Sequence, residues 1–138
     1  MKKTIFAVAM AALVSLFSVS CSKTDVNTSK LIGTWKLIAA SSTSGSVTTA
    51  ETITAYVTLQ FVKGGVLNIT ETEGTHSVTF TGTWVVSEDT LIISSADNST
   101  VFNTTYNIVT LDSKSLIVSA TQAYSSTIYT TTYTFAKL

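Results

Sequence analysis

Residues 31–40 read LIGTWKLIAA, and the fold is decided by how Gly33-Thr34-Trp35 within them is read. Apolar residues alternate across this stretch, as they do in a strand with one dry face. Trp35 and Leu37 then point inward, with Gly33 two residues earlier on the same face. Glycine at such a position lets a large indole from a neighbouring strand lie against bare backbone. The triplet recurs as Gly82-Thr83-Trp84, again inside an alternating run.

Around these two anchors the composition is that of a β protein. Serine and threonine fill most polar positions, and after residue 30 no apolar pattern keeps a helical period over three turns. Proline is absent, where average usage would give roughly seven in a chain of this size. Open sheets often place proline on an edge, and a closed barrel has no edge to protect. The expected fold is therefore all-β, an eight-stranded antiparallel up-and-down barrel.

Eight strands are expected. The first is residues 33–40, followed by a low-complexity connection over 41–52, SSTSGSVTTAET. The next spans 53–62 with Val57, Leu59 and Phe61 inward, turning at Lys63-Gly64-Gly65. Residues 66–72 follow with Leu67 and Ile69 inward, then 75–86 with Val78, Phe80, Gly82, Trp84 and Val86 on one face. Residues 91–95, 101–111, 115–121 and 127–135 complete the set, with a loop over 96–100 and with Tyr129, Tyr133 and Phe135 sharing a face of the last strand.

Ahead of the barrel lies an address. Lys2 and Lys3 precede an apolar run, Ile5 to Phe17, too short to span a bilayer comfortably and suited to a signal peptide. Ser18-Val19-Ser20-Cys21 resembles a bacterial lipobox, with Ser18 where leucine is usual. Cys21 is the single cysteine and sits where the apolar run ends. It is the expected lipidation site, carrying a diacylglyceryl group and acyl chains such as palmitate, and it leaves no internal disulfide. The expected organisation is a signal peptide over 1–20, a lipidated cysteine and tether over 21–30, and one β-barrel domain over 31–138. From Cys21 onward six lysines face eight acids, a formal charge of −2, with no arginine and no basic cluster. Nothing in that pattern suits nucleic acid.

The order of these features resembles the lipocalin-like lipoproteins of Bacteroidota. The resemblance rests on the opening GTW strand, the glycine turn after an aromatic (Phe61 to Gly65), the second Gly-x-Trp leading to a leucine-rich hairpin, and the C-terminal Tyr133-x-Phe135. Avidins open with a similar GTW strand, but the polar biotin contacts expected after it are missing from Lys36-Leu37-Ile38. The resemblance implies an outer-membrane lipid anchor, with the periplasmic or outward-facing side left open because Asp25 is the lone acid in the tether. Asp89-Thr90-Leu91 is similar to the short pattern that Bacteroidota glycosylate on threonine, which marks Thr90 as a candidate.

Two functions fit this reading. One is a carrier that holds a small hydrophobic ligand within the barrel, with Trp35, Phe61, Phe80, Trp84, Tyr129 and Tyr133 as candidate ligand-binding residues, a flap formed by 41–52 over the mouth, and any cavity toward that end. The other is a filled barrel that serves as a structural or protein-interaction module at the envelope. Eight strands leave an interior just wide enough for side chains or one small ligand, and the inward aromatics favour filling. His76 is the single histidine, near a turn, and no serine-histidine-acid spacing accompanies it. Glu71, Glu73, His76 and Asp89 lack the dedicated loop of a cation site. The chain is therefore expected to be no enzyme and to hold no metal or cofactor; a protein partner is not specified by the sequence.

Overall fold

The computed structural model describes residues 27–95 and 104–138; the signal peptide, Cys21 and the loop expected over 96–100 lie outside the described residues. Among the described residues a helical turn, α1 (Thr28–Leu31), precedes nine strands: β1 (Gly33–Ser44), β2 (Val47–Ala50), β3 (Tyr56–Val62), β4 (Val66–Glu73), β5 (His76–Ser87), β6 (Thr90–Ser95), β7 (Thr104–Leu111), β8 (Ser115–Tyr124) and β9 (Thr127–Lys137). Each strand from β3 to β9 pairs antiparallel with the next, and β1 pairs with both β3 and β9. The ring of β1 and β3–β9 is the eight-stranded up-and-down barrel expected from the alternation, and closure leaves no edge within the ring.

The ninth strand corrects the reading of residues 41–52 as one long connection. Threonine, valine and serine make that segment low in complexity but strand-prone. Gly45, at φ +60°, supplies the left-handed turn residue that folds it into a hairpin. Ser41–Ser44 then pairs on one side with β2 and on the other with β9, from Ser41↔Thr132 to Ser44↔Tyr129. Far from being a loose flap, this half of β1 is barrel wall.

Two bulges explain further departures from simple alternation. Between Leu37 and Ala39 the β1–β9 register shifts by one residue, so that Ile38 and Ala39 are both exposed and Ala40, opposite Tyr133, continues the wall. A second shift, between Ile108 and Thr110, leaves Val109 exposed and inverts the phase beyond it in β7, so that Leu111 lies opposite the buried Leu116. Val78 was expected to be inside; it stays in phase with Trp84 but is 52% exposed, because β5 runs past the end of the core.

The core is continuous: Leu31, Trp35, Leu59, Phe61, Leu67, Ile69, Trp84, Leu91, Ile93, Leu116, Val118 and Phe135 are all buried. Turn chemistry is local, as at Asp112, whose Oδ1 accepts from the Lys114 and Ser115 amides at 2.7 Å each. Among the described residues, every core residue lies between Leu31 and Phe135, and the ring closes on its own backbone hydrogen bonds. A chain starting at Ser22 therefore carries every described element of the fold.

Candidate functional site

The barrel interior has two halves with different chemistry. At the α1 end it is filled. Asn27 caps α1, its Oδ1 accepting from the Ser29 amide at 3.0 Å, and Leu31 is driven fully into the core. The Trp35 indole Nε1 donates to the Leu31 carbonyl at 2.7 Å. Across the barrel, Trp84 Nε1 is shared between the Val62 and Val66 carbonyls at 3.1 and 3.0 Å, and the Phe61 ring meets the Trp84 ring edge-on at 5.6 Å. Both indole donors are satisfied by backbone, so these aromatics seal and hold the end of the barrel.

Toward the other end the filling stops. A cavity of about 200 Å³, partly open to solvent, lies between the walls. Leu59, Leu91, Ile93, Leu116, Val118 and Phe135 form its apolar bed, and Leu37 and Val57 flank it. Its polar groups are Tyr106, Tyr133 and Glu71, and Glu71 is the one charged side chain in the lining among the described residues. The two phenol rings meet edge-on at 6.1 Å. Burial pushes the Tyr106 hydroxyl above the ordinary tyrosine range, with Tyr133 adding to the rise and a hydrogen bond with Thr104 opposing it. Burial also raises Tyr133, and the Glu51 carboxylate adds to that. Glu51 is placed there by its backbone: its amide donates to the Ala40 carbonyl at 2.8 Å, and Ala40 is the cross-strand partner of Tyr133.

Of the six candidate ligand-binding residues, the lining includes Tyr133 alone. Trp35, Phe61 and Trp84 are buried at the filled end, and Phe80 is half-buried against the core. Tyr129 lies at the tip of the β8–β9 hairpin, 39% exposed, with its ring 6.1 Å from that of Tyr124. Such a position follows from strand length, since β9 extends beyond the cavity before it turns. The cavity does lie toward the residue 41–52 end, as expected. Tyr106 carried no inward assignment in the sequence because the β7 bulge masks its phase. Glu71 is legible as a strand residue in step with Ile69, but its polarity suggests a rim instead of a wall. Thr90 opens β6, half-buried, paired with Ser87 and Asn107. His76 is exposed at the start of β5, opposite Glu73. Among the described residues no group of three metal-ligating side chains comes together.

A closed up-and-down barrel of eight antiparallel strands, plugged by a short N-terminal helix and hollow beyond it, defines the calyx class of β-barrel proteins. The family model for the lipocalin-like domain matches residues 31–118, and the chain belongs to that family. Among solved structures it is similar to a lipocalin-like protein from Bacteroides uniformis, with TM-score 0.57, 20% identity, and coverage of 79% of this chain and 99% of that one. A protein from Bacteroides eggerthii gives TM-score 0.57 at 14% identity, over 78% and 98% of the two chains. Apocrustacyanin C1 gives TM-score 0.57 at 15% identity, over 81% of this chain and 63% of that one. At these identities the likeness is one of fold. No curated protein sequence matches the chain.

Proposed function

We propose that this chain is an outer-membrane lipoprotein of the lipocalin-like family, anchored through Cys21, that carries a small and mainly apolar ligand without acting on it chemically. The observation that supports this reading is the cavity: about 200 Å³ of space in a barrel whose other half is filled with tryptophan and phenylalanine. Apolar voids of this kind receive apolar ligands, and an engineered cavity of about 150 Å³ takes benzene. Drug-sized ligands occupy roughly 300–1,000 Å³, so the occupant here is compact, and a sterol exceeds the space. Among the described residues no helix is long and apolar enough to cross a membrane; attachment rests on the lipobox-like sequence ending at Cys21.

Native mass spectrometry of Ser22–Leu138 with benzene-sized compounds, a fatty acid and a sterol tests the carrier reading. One-to-one adducts with the compact compounds, and none with the sterol, are expected. A mass that stays unliganded throughout overturns it in favour of the structural or interaction module.

A further inference from the structure

We propose that the cavity selects a small primary amine, its apolar body in the bed of the barrel and its ammonium group at Glu71. The inference rests on the carrier function above and names the ligand class. Glu71 faces inward because its cross-strand partner Val57 does, and both line the cavity. Among the described residues no hydrogen bond or ion pair holds its carboxylate. Lys36, whose cross-strand partner is Thr58 on β3, turns to the outer surface, where its Nζ lies 4.6 Å from the Tyr56 ring centroid. Glu71 is half-buried, opposite the half-exposed Val78 on β5, so water reaches it while the cavity is empty.

Filling the cavity changes that balance. A wholly apolar ligand strips water from the carboxylate and gives nothing back, which is costly for a charged group. An anionic ligand meets repulsion from Glu71, and from Glu51 beside Tyr133. An ammonium group replaces the lost water with a charge-assisted hydrogen bond, and the Tyr106 and Tyr133 hydroxyls supply further acceptors. The volume accommodates one ring with a short amine-bearing arm, since benzene alone fits about 150 Å³.

Three ligands of nearly equal size separate the alternatives: benzylamine, benzyl alcohol and benzoate, titrated calorimetrically into Ser22–Leu138 at neutral pH. Benzylamine is expected to bind about tenfold or more tighter than benzyl alcohol, near the lower end of what a hydrogen bond to a charged group gives, with benzoate weakest. Glu71→Gln should bring the amine to the level of the alcohol and leave the alcohol unchanged. Equal binding of amine and alcohol by the unaltered protein overturns the amine class and leaves the carrier reading standing. An amine preference that survives Glu71→Gln overturns the placement at Glu71. Should that variant misfold, the carboxyl carbon resonance of Glu71 in the unaltered protein decides: it must move on benzylamine addition, and a resonance that stays put overturns the placement. Failure of all three ligands to bind overturns the amine inference, and the carrier reading falls with it only when the protein also stays unliganded with the mass-spectrometry compounds above.

Discussion

The Lys137 ammonium lies 5.0 Å from the ring centroid of Trp35 and donates to the Lys30 carbonyl at 2.9 Å. One side chain from the end of the last strand thus covers the first tryptophan and fastens α1 to the barrel. The Trp35 indole reaches α1 from the inside, through Leu31, and the Leu138 amide donates to the Thr34 carbonyl at 2.9 Å. Helix α1 and the end of β9 are therefore joined at the filled end of the barrel, which leaves the far half free of that constraint.

This linkage makes Lys137→Ala destabilising out of proportion to its surface position. A cation–π contact contributes about 0.5–2 kcal/mol depending on its solvation, and the hydrogen bond to Lys30 adds to it. The expected loss is about 1–3 kcal/mol, read from urea midpoints. Trp35→Ala should cost more, about 3–5 kcal/mol, because it also empties a fully buried site. A Lys137→Ala midpoint equal to that of the unaltered protein would show that the strand end does not secure α1.

Gly82 provides a sharper test of the second Gly-x-Trp. A Cβ built there meets the Ser94 carbonyl oxygen and lies 3.3 Å from the Ser95 Cα, both backbone atoms that a rotamer change cannot move aside. Gly82→Ala is expected to cost at least about 1–3 kcal/mol, as overpacking does. Gly45→Ala is the control: its φ is +60° but nothing lies within 4 Å, so only turn strain is added, about 1 kcal/mol. Urea denaturation of the two variants should rank Gly82→Ala as the less stable, and the reverse ranking would mean that β5 and β6 can part to admit a methyl group.

These glycines also show why the fold was more legible than the site. Period-two alternation in residues 75–86 and 127–135 fixes strand identity, and strands in sequence joined by short turns fix the meander. The tryptophans of the two Gly-x-Trp motifs read correctly as inward-facing, but the atoms nearest the glycines are the Lys137 side chain at Gly33 and the Ser94–Ser95 backbone at Gly82, where an indole is expected from the sequence. What alternation does not carry is depth along the barrel. Trp84 and Val78 have the same phase, yet one is buried and the other half exposed. Tyr133 and Tyr129 share a phase as well, and the cavity reaches only the first. Bulges hide the rest: an extra residue at Ile38 and another at Val109 invert the phase along β1 and β7, and so the inward direction of Tyr106 was not readable. The hairpin at Gly45 is hidden by the low complexity of residues 41–52, although threonine and valine favour strands.

The two cavity tyrosines predict a pH dependence. Burial raises both hydroxyls, so the folded state favours their neutral forms. Their contribution to stability is fully present below the unfolded value near 10 and is lost as pH rises through the higher folded values. In a spectroscopic titration of phenolate absorbance, part of the signal should develop above the ordinary tyrosine range. Tyr106→Phe and Tyr133→Phe should each remove some of that late part and should flatten the fall in stability on the alkaline side. A titration curve whose late part is unchanged in both variants would place these hydroxyls in water.

The anchor proposed at Cys21 is tested separately from the barrel, because among the described residues the core begins at Leu31. Cys21→Ser should abolish incorporation of labelled palmitate and move the protein from the membrane fraction to the soluble fraction. Two or more acyl chains hold a protein to a bilayer where one gives only marginal attachment, at about 0.8 kcal/mol for each buried methylene, so the shift should be nearly complete. The urea midpoint of the barrel should stay the same, since among the described residues the core runs from Leu31 to Phe135, beyond the tether. Palmitate label that persists in Cys21→Ser would place the modification elsewhere, and membrane association without label would point to a binding partner in place of a lipid.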